Sequence, residues 1–173
     1  MNGMKAKRIA FLAVSTALGM ILAYVEAILI PSFGIPGVKV GLANLATVFL
    51  LYRAKPYEAL ISGVLRVVLI AVLFGNWVSL VFSFSGLIAS VGVMWLLKRV
   101  RAFSVAAVSV SGAVVHNLIQ ILVAVFFVGA KEVVYYLPVL ILGGVGFGLV
   151  IGIVSSILVS KVPDFHEKPG REA

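Results

Sequence analysis

Six apolar runs, too long and too little interrupted for a water-soluble fold, dominate this sequence: Ile9 to Ile30, Gly41 to Tyr52, Tyr57 to Phe74, Trp77 to Leu97, Ser104 to Val128 and about Val134 to Ser160. A bilayer core about 30 Å thick is crossed by about 20 apolar residues in a helix. The 173 residues therefore hold six spans joined by short loops. Strands would have to close into a barrel and alternate in polarity, which these runs do not. Composition agrees, with 12% charged residues against roughly 25% in soluble domains. The expected fold is an all-α integral membrane protein: one six-helix transmembrane domain over residues 1–162 and a polar tail over 163–173. The second run is short. Pro56 precedes the third, Pro138 suits the first turn of the sixth, and Ser104 suits the N-cap of the fifth.

A net charge of +8 invites a nucleic-acid reading, but the positions of the 14 basic residues point elsewhere. With the N-terminus in the cytoplasm, Lys5, Lys7, Arg8, Arg53, Lys55, Lys98, Arg99, Arg101, Lys161, Lys168 and Arg171 all fall inside. Only Lys39 and Lys131 fall outside, and Arg66 lies within a span. That distribution follows the positive-inside rule and places both termini in the cytoplasm of a multi-pass cell-membrane protein. The basic balance then reflects topology; membrane lipid is an expected partner, and nucleic acid is not. The first run is longer than a signal-peptide core of about 7 to 15 residues and reads as a retained span.

Without cysteine, and with His116 and His166 far apart, the chain offers no thiolate or histidine metal cluster. No catalytic residue, metal or cofactor is expected. The polar residues within the spans, with Asn76 in the outer turn between the third and fourth, instead share a depth. At 1.5 Å per residue, Glu26, Asn44, Arg66, Asn76, His116, Asn117 and Gln120 all fall at the midplane or in the outer half. Across the inner half, apolar residues with Gly, Ser and Thr are expected to fill the spans. This asymmetry suggests a pocket open to the outside, since a channel places polar groups along its whole depth. His116, Asn117 and Gln120 share one helical face, and Arg66 would anchor an anionic or carbonyl group. Interhelical hydrogen bonding by Asn44, Asn117 or His116 and an internal Arg66–Glu26 ion pair are the competing explanations. The outer loop from Pro31 to Lys39 reads as a turn or lid. Tyr24, Phe33, Trp77, Tyr135 and Tyr136 read either as a headgroup belt or as stacking partners for a ring. Lys39 and Tyr135 join the candidate substrate-binding residues.

Small residues form stripes that let helices approach closely: Gly144, Gly148, Gly152, Ser156 and Ser160 on the sixth helix, and Ala6, Ala10, Ala13 and Ala17 on the first. The latter packs internally or seats a partner membrane protein.

The segments Val38-Lys-Val-Gly-Leu-Ala-Asn-Leu45, Gly63-Val-Leu-Arg66, His116-Asn-Leu-Ile-Gln120 and Tyr135-Tyr-Leu-Pro138, in this order among six helices, resemble the Gx transporter family. That family is also labelled heptaprenyl diphosphate synthase component I. It is similar to the S components of energy-coupling factor (ECF) transporters. The resemblance implies a bundle with an outward-facing site covered by the loop between the first two helices. It also implies partner-docking through Ala10, Ala13 and Ala17 onto a transmembrane coupling subunit, with ATPase subunits driving uptake of a small molecule. Prenyl diphosphate synthases hold Mg²⁺ through aspartate-rich motifs, and in this chain no two acidic residues are adjacent. The alternative expectation is a noncatalytic membrane subunit that supports such a synthase.

Overall fold

The computed structural model describes residues 2–29, 41–74, 77–129 and 131–163. These form α1 (Asn2–Leu29), α2 (Leu42–Arg53), α3 (Pro56–Phe74), α4 (Trp77–Val100), α5 (Val105–Val123) and α6 (Leu137–Lys161). A π-helical turn, Ala124–Val128, extends α5, and a 3₁₀ turn, Lys131–Tyr136, leads into α6. No strand occurs among the described residues. Five helices are long and apolar enough to cross a membrane. The exception is α2, whose 12 residues rise only about 18 Å.

Local chemistry explains the helix ends. α1 begins ahead of the apolar run, and α4 continues through Lys98 and Arg99 to Val100, because Lys and Arg are strong helix formers. Charge ends the apolar run without ending the helix. Ser104 caps α5 by accepting from the Ala107 N–H at 3.2 Å, and a proline lies in the first turn of α6. The expected continuation of the fifth helix to Val128 is α-helical only as far as Val123. The chain then widens into the π turn, which Gly129 closes in the left-handed region at φ 74.

Successive helices run antiparallel. α1 packs on α2 and α3, α3 on α4, α4 on α5, α5 on α6, and α6 returns against α2. α2 thus closes the circuit of helices, lying against α1, α3 and α6. Val48, Leu50 and Leu51 have no exposed surface and form the core with Leu87, Val91 and Met94 of α4 and Val108 of α5. The outward surface is apolar: Val14, Val72, Leu142 and Val150 are all more than half exposed. Such a surface matches hydrocarbon and would be an aggregation hazard in water.

Glycine sets the closest contacts. A Cβ on Gly152 would lie 2.5 Å from the Ala106 Cα, and one on Gly148 would lie 2.9 Å from the Val110 Cα, so α5 and α6 touch backbone to backbone. The expected stripe fails beyond Gly152, where Ser156 and Ser160 are exposed and Ser155 is buried instead. Four residues turn a helix by 400°, so a strict four-residue repeat drifts about 40° per step and leaves the contact face. The Gly152→Ala variant is expected to lower stability by about 1 to 3 kcal/mol through overpacking. Gly146→Ala, whose Cβ would meet nothing within 4 Å, should be neutral or slightly stabilising. Thermal unfolding in detergent compares the two.

Candidate binding site

Because α2 is short, its ends lie between neighbouring helices, and polar side chains from those helices meet them. Gly41 starts α2 from the left-handed region at φ 77, and its N–H donates to Glu26 Oε1 at 2.8 Å. The carboxylate thus faces the positive end of the helix dipole. One turn in, Arg66 Nη1 donates to the Ala43 carbonyl. The Arg66 stem lies along Gly19 of α1 and Ala46 of α2, where a Cβ on Gly19 would come within 3.2 Å of Arg66 Cδ. Glycine is thus the residue that admits the arginine between α1 and α2.

At the other end of α2, Lys98 Nζ donates to the Leu51 carbonyl at 2.5 Å and stands 5.0 Å over the Tyr52 ring. This cation faces the negative end of the same dipole. Close by, Arg8 grips Glu58 with both carboxylate oxygens engaged, Nε at 2.6 Å from Oε1 and Nη2 at 2.8 Å from Oε2. Glu58 also accepts from the Lys55 N–H at 2.9 Å, the reach-back of a helix capping box. This pair corrects the expectation that the inner half holds only apolar residues, Gly, Ser and Thr. An acid three residues after Lys55, with proline opening the helix, was the available signal.

The expected cluster divides into two neighbourhoods. Glu26 and Arg66 are buried where α1, α2 and α3 meet, with the half-buried Asn44 on the first turn of α2. Among the described residues they form no ion pair with each other. His116, Asn117 and Gln120 lie on α5. His116 packs into the notch at Gly86 of α4, where a Cβ would lie 2.7 Å from its Cε1. Asn117 is buried and donates from Nδ2 to the Leu140 carbonyl of α6 at 2.8 Å, which is a helix-joining bond. Gln120 is half-buried between these directions. Tyr135 is 86% exposed on the 3₁₀ turn, and the structure does not bring it to either group. Lys39, Asn76 and Phe33 lie outside the described residues. Ala10, Ala13 and Ala17 are exposed on the face of α1 opposite Ser15, Thr16 and Gly19, which are buried. Thr16 and Ser62 join α1 to α3 through their hydroxyls at 2.7 Å.

The arrangement can recognise a polar group. Arg66 carries five N–H donors and a permanent charge, and among the described residues Ala43 is its hydrogen-bond acceptor. Among those residues no three His or carboxylate side chains are grouped as a metal centre requires.

The family model for heptaprenyl diphosphate synthase component I matches residues 15–158, and the chain belongs to that family. No curated protein and no solved structure matches.

Three substitutions at two positions test the clasps on α2. Lys98→Met keeps the stem but leaves the buried Leu51 carbonyl without its donor, and should cost about 1 to 3 kcal/mol of stability. Glu26→Gln retains an acceptor for the Gly41 N–H and should cost less than Glu26→Ala. Unfolding midpoints of the three variants give both comparisons.

Proposed function

We propose that this member of the heptaprenyl diphosphate synthase component I family is a noncatalytic substrate-binding membrane protein similar to the S components of ECF transporters. It captures a small vitamin-like or quinone- or isoprenoid-precursor molecule from outside the cell membrane. The observation that carries this reading is Arg66, a buried guanidinium with one backbone acceptor and no carboxylate in contact among the described residues. A charge held at membrane depth is costly unless neutralised, and an anionic or carbonyl group on a ligand supplies what the described residues do not. Glu26 and Asn44 flank Arg66 in the proposed site, which Lys39 and Asn76 would join, whereas His116, Asn117 and Gln120 form the separate group on α5 and Tyr135 stands exposed, so these four are not assigned to it.

Orientation follows from charge. The end of the bundle that carries Arg8, Arg53, Lys98 and Arg99 is basic, so the positive-inside rule places it in the cytoplasm and turns the Arg66 end outward. Transport then requires a transmembrane coupling subunit and ATPase subunits. The exposed Ala10, Ala13 and Ala17 support docking of the former, because small residues on a lipid-facing surface allow close helix approach.

A second reading, a membrane subunit that supports a prenyl diphosphate synthase, is favoured by the family's description and by the basic end of the bundle. Pull-down from native membranes separates the two: coupling and ATPase subunits support uptake, whereas a soluble prenyl synthase supports the second reading.

Arg66→Gln should weaken ligand binding, read as loss of ligand-induced thermal stabilisation, by more than it lowers the unfolding midpoint of the free protein. An equal loss of both would make Arg66 a structural residue. Ala13→Trp or Ala17→Trp should abolish assembly and uptake while leaving ligand affinity in detergent nearly unchanged. Unfolding of the isolated variant would withdraw the docking assignment.

A further inference from the structure

A second polar feature, at the opposite end of the bundle from Arg66, takes no part in that reading. A cleft of about 410 Å³ opens between the start of α3 and the end of α4, lined by Pro56, Trp95, Lys98, Arg99 and Arg101. Three of its five lining residues are cations and none is an acid. The nearby carboxylate of Glu58 is committed to Arg8 and to the Lys55 N–H. A helix C-terminus carries about half a negative charge, less than these three cations, and the positive-inside rule places them at this end without supplying them a counter-charge.

The cleft is also held in shape. Lys98 is fixed by the Leu51 carbonyl and the Tyr52 ring, and the Arg99 guanidinium lies 5.9 Å from the Trp95 ring centre. Arg101 adopts φ 59 as α4 ends, with its N–H 3.2 Å from the Lys98 carbonyl. Glycine is the residue that takes this left-handed position without strain. An arginine held there against its backbone preference is a strained position of the kind that occurs at ligand clamps. On the adjoining end of α2, the Tyr52 hydroxyl and Arg53 Nε are buried without hydrogen-bond partners among the described residues.

A lipid-exposed track leads to the cleft. Val81, Phe84, Ile88, Gly92, Trp95 and Arg99 recur every three or four residues along α4, all exposed, and Gly92 leaves an open notch where a Cβ would meet nothing within 4 Å. Planar guanidinium forks match phosphate oxygens, a tryptophan belongs at headgroup level, and the track suits a hydrocarbon chain. We propose that this cleft binds the phosphate of a membrane amphiphile, with the amphiphile's chain lying along the exposed face of α4. The site is independent of the uptake reading and stands or falls separately from it.

The chain has two tryptophans, so a Trp77→Phe background leaves Trp95 as the only indole reporter. In neutral detergent the full chain is titrated with phosphatidylglycerol, with farnesyl diphosphate and with phosphatidylcholine. Saturable change in Trp95 emission with either of the first two supports the site, and which of them binds more tightly tells a bulk anionic lipid from an isoprenoid diphosphate. Phosphatidylcholine, whose phosphate is offset by its own cation, should bind at least about tenfold more weakly. Arg101→Gly should weaken binding about tenfold or more, because it removes a charge-assisted contact. Glycine relaxes that position, so loss of fold does not imitate loss of the site. Lys131→Gln removes one charge elsewhere and should leave affinity unchanged. No saturable binding of either phosphate amphiphile, equal binding of phosphatidylcholine, wild-type affinity in Arg101→Gly, or an equal loss in Lys131→Gln would each overturn the proposal.

Discussion

The structure depends on satisfying the two ends of a helix too short for its surroundings. A full-length span leaves its free backbone N–H and C=O groups at the headgroups, where water reaches them. α2, with 12 residues, leaves them between other helices, where each unsatisfied group costs on the order of a few kcal/mol. Glu26 answers the first end and Lys98 the second, each with the sign that the helix dipole favours. With its ends held, α2 can place Val48, Leu50 and Leu51 in the core of the bundle. The polar residues that hold it are also the ones from which recognition can be built, so the same constraint produces the fold and the candidate site.

Much of this was legible in the sequence, and what was missed has a physical reason. Five long helices and a short second one follow from apolar run lengths, because lipid leaves the chain few options. Ser104 and Pro138 announced their helix starts. Arg66, Glu26 and Asn117 stood out because ionisable and amide groups at membrane depth are rare. Their partners could not be read, since a backbone carbonyl such as that of Ala43 or Leu140 carries no mark in the sequence. The division of the polar cluster was hidden for a related reason. His116 and Asn117 are neighbours in the chain but point about 100° apart, one toward Gly86 of α4 and the other toward α6. Lys98 was assigned only to topology because a basic residue after an apolar run fits the positive-inside rule whether or not it also caps a buried helix.

Polar function is divided between the ends of the molecule. At one end a single buried arginine is enclosed by α1, α2 and α3, a geometry suited to one small ligand with a complementary group. At the other, several partly exposed cations and a tryptophan meet the lipid-facing surface, a geometry suited to headgroups and to soluble partners. Between them the close α5–α6 and α1–α3 contacts are made by small residues and hydroxyls, which join helices without offering a continuous polar path. That separation is what the proposed capture on one side, coupled to partners on the other, requires.

The central claim is that Arg66 is completed by a ligand. Mass spectrometry of small molecules extracted from the chain purified out of its native membranes, beside the Arg66→Gln variant purified the same way, tests it most directly. The expected result is a compound bearing a carboxylate, phosphate or carbonyl group, near one per protein in the native chain and strongly depleted in the variant. A folded native chain that carries no such compound, or a variant that retains it in equal amount, would contradict the claim.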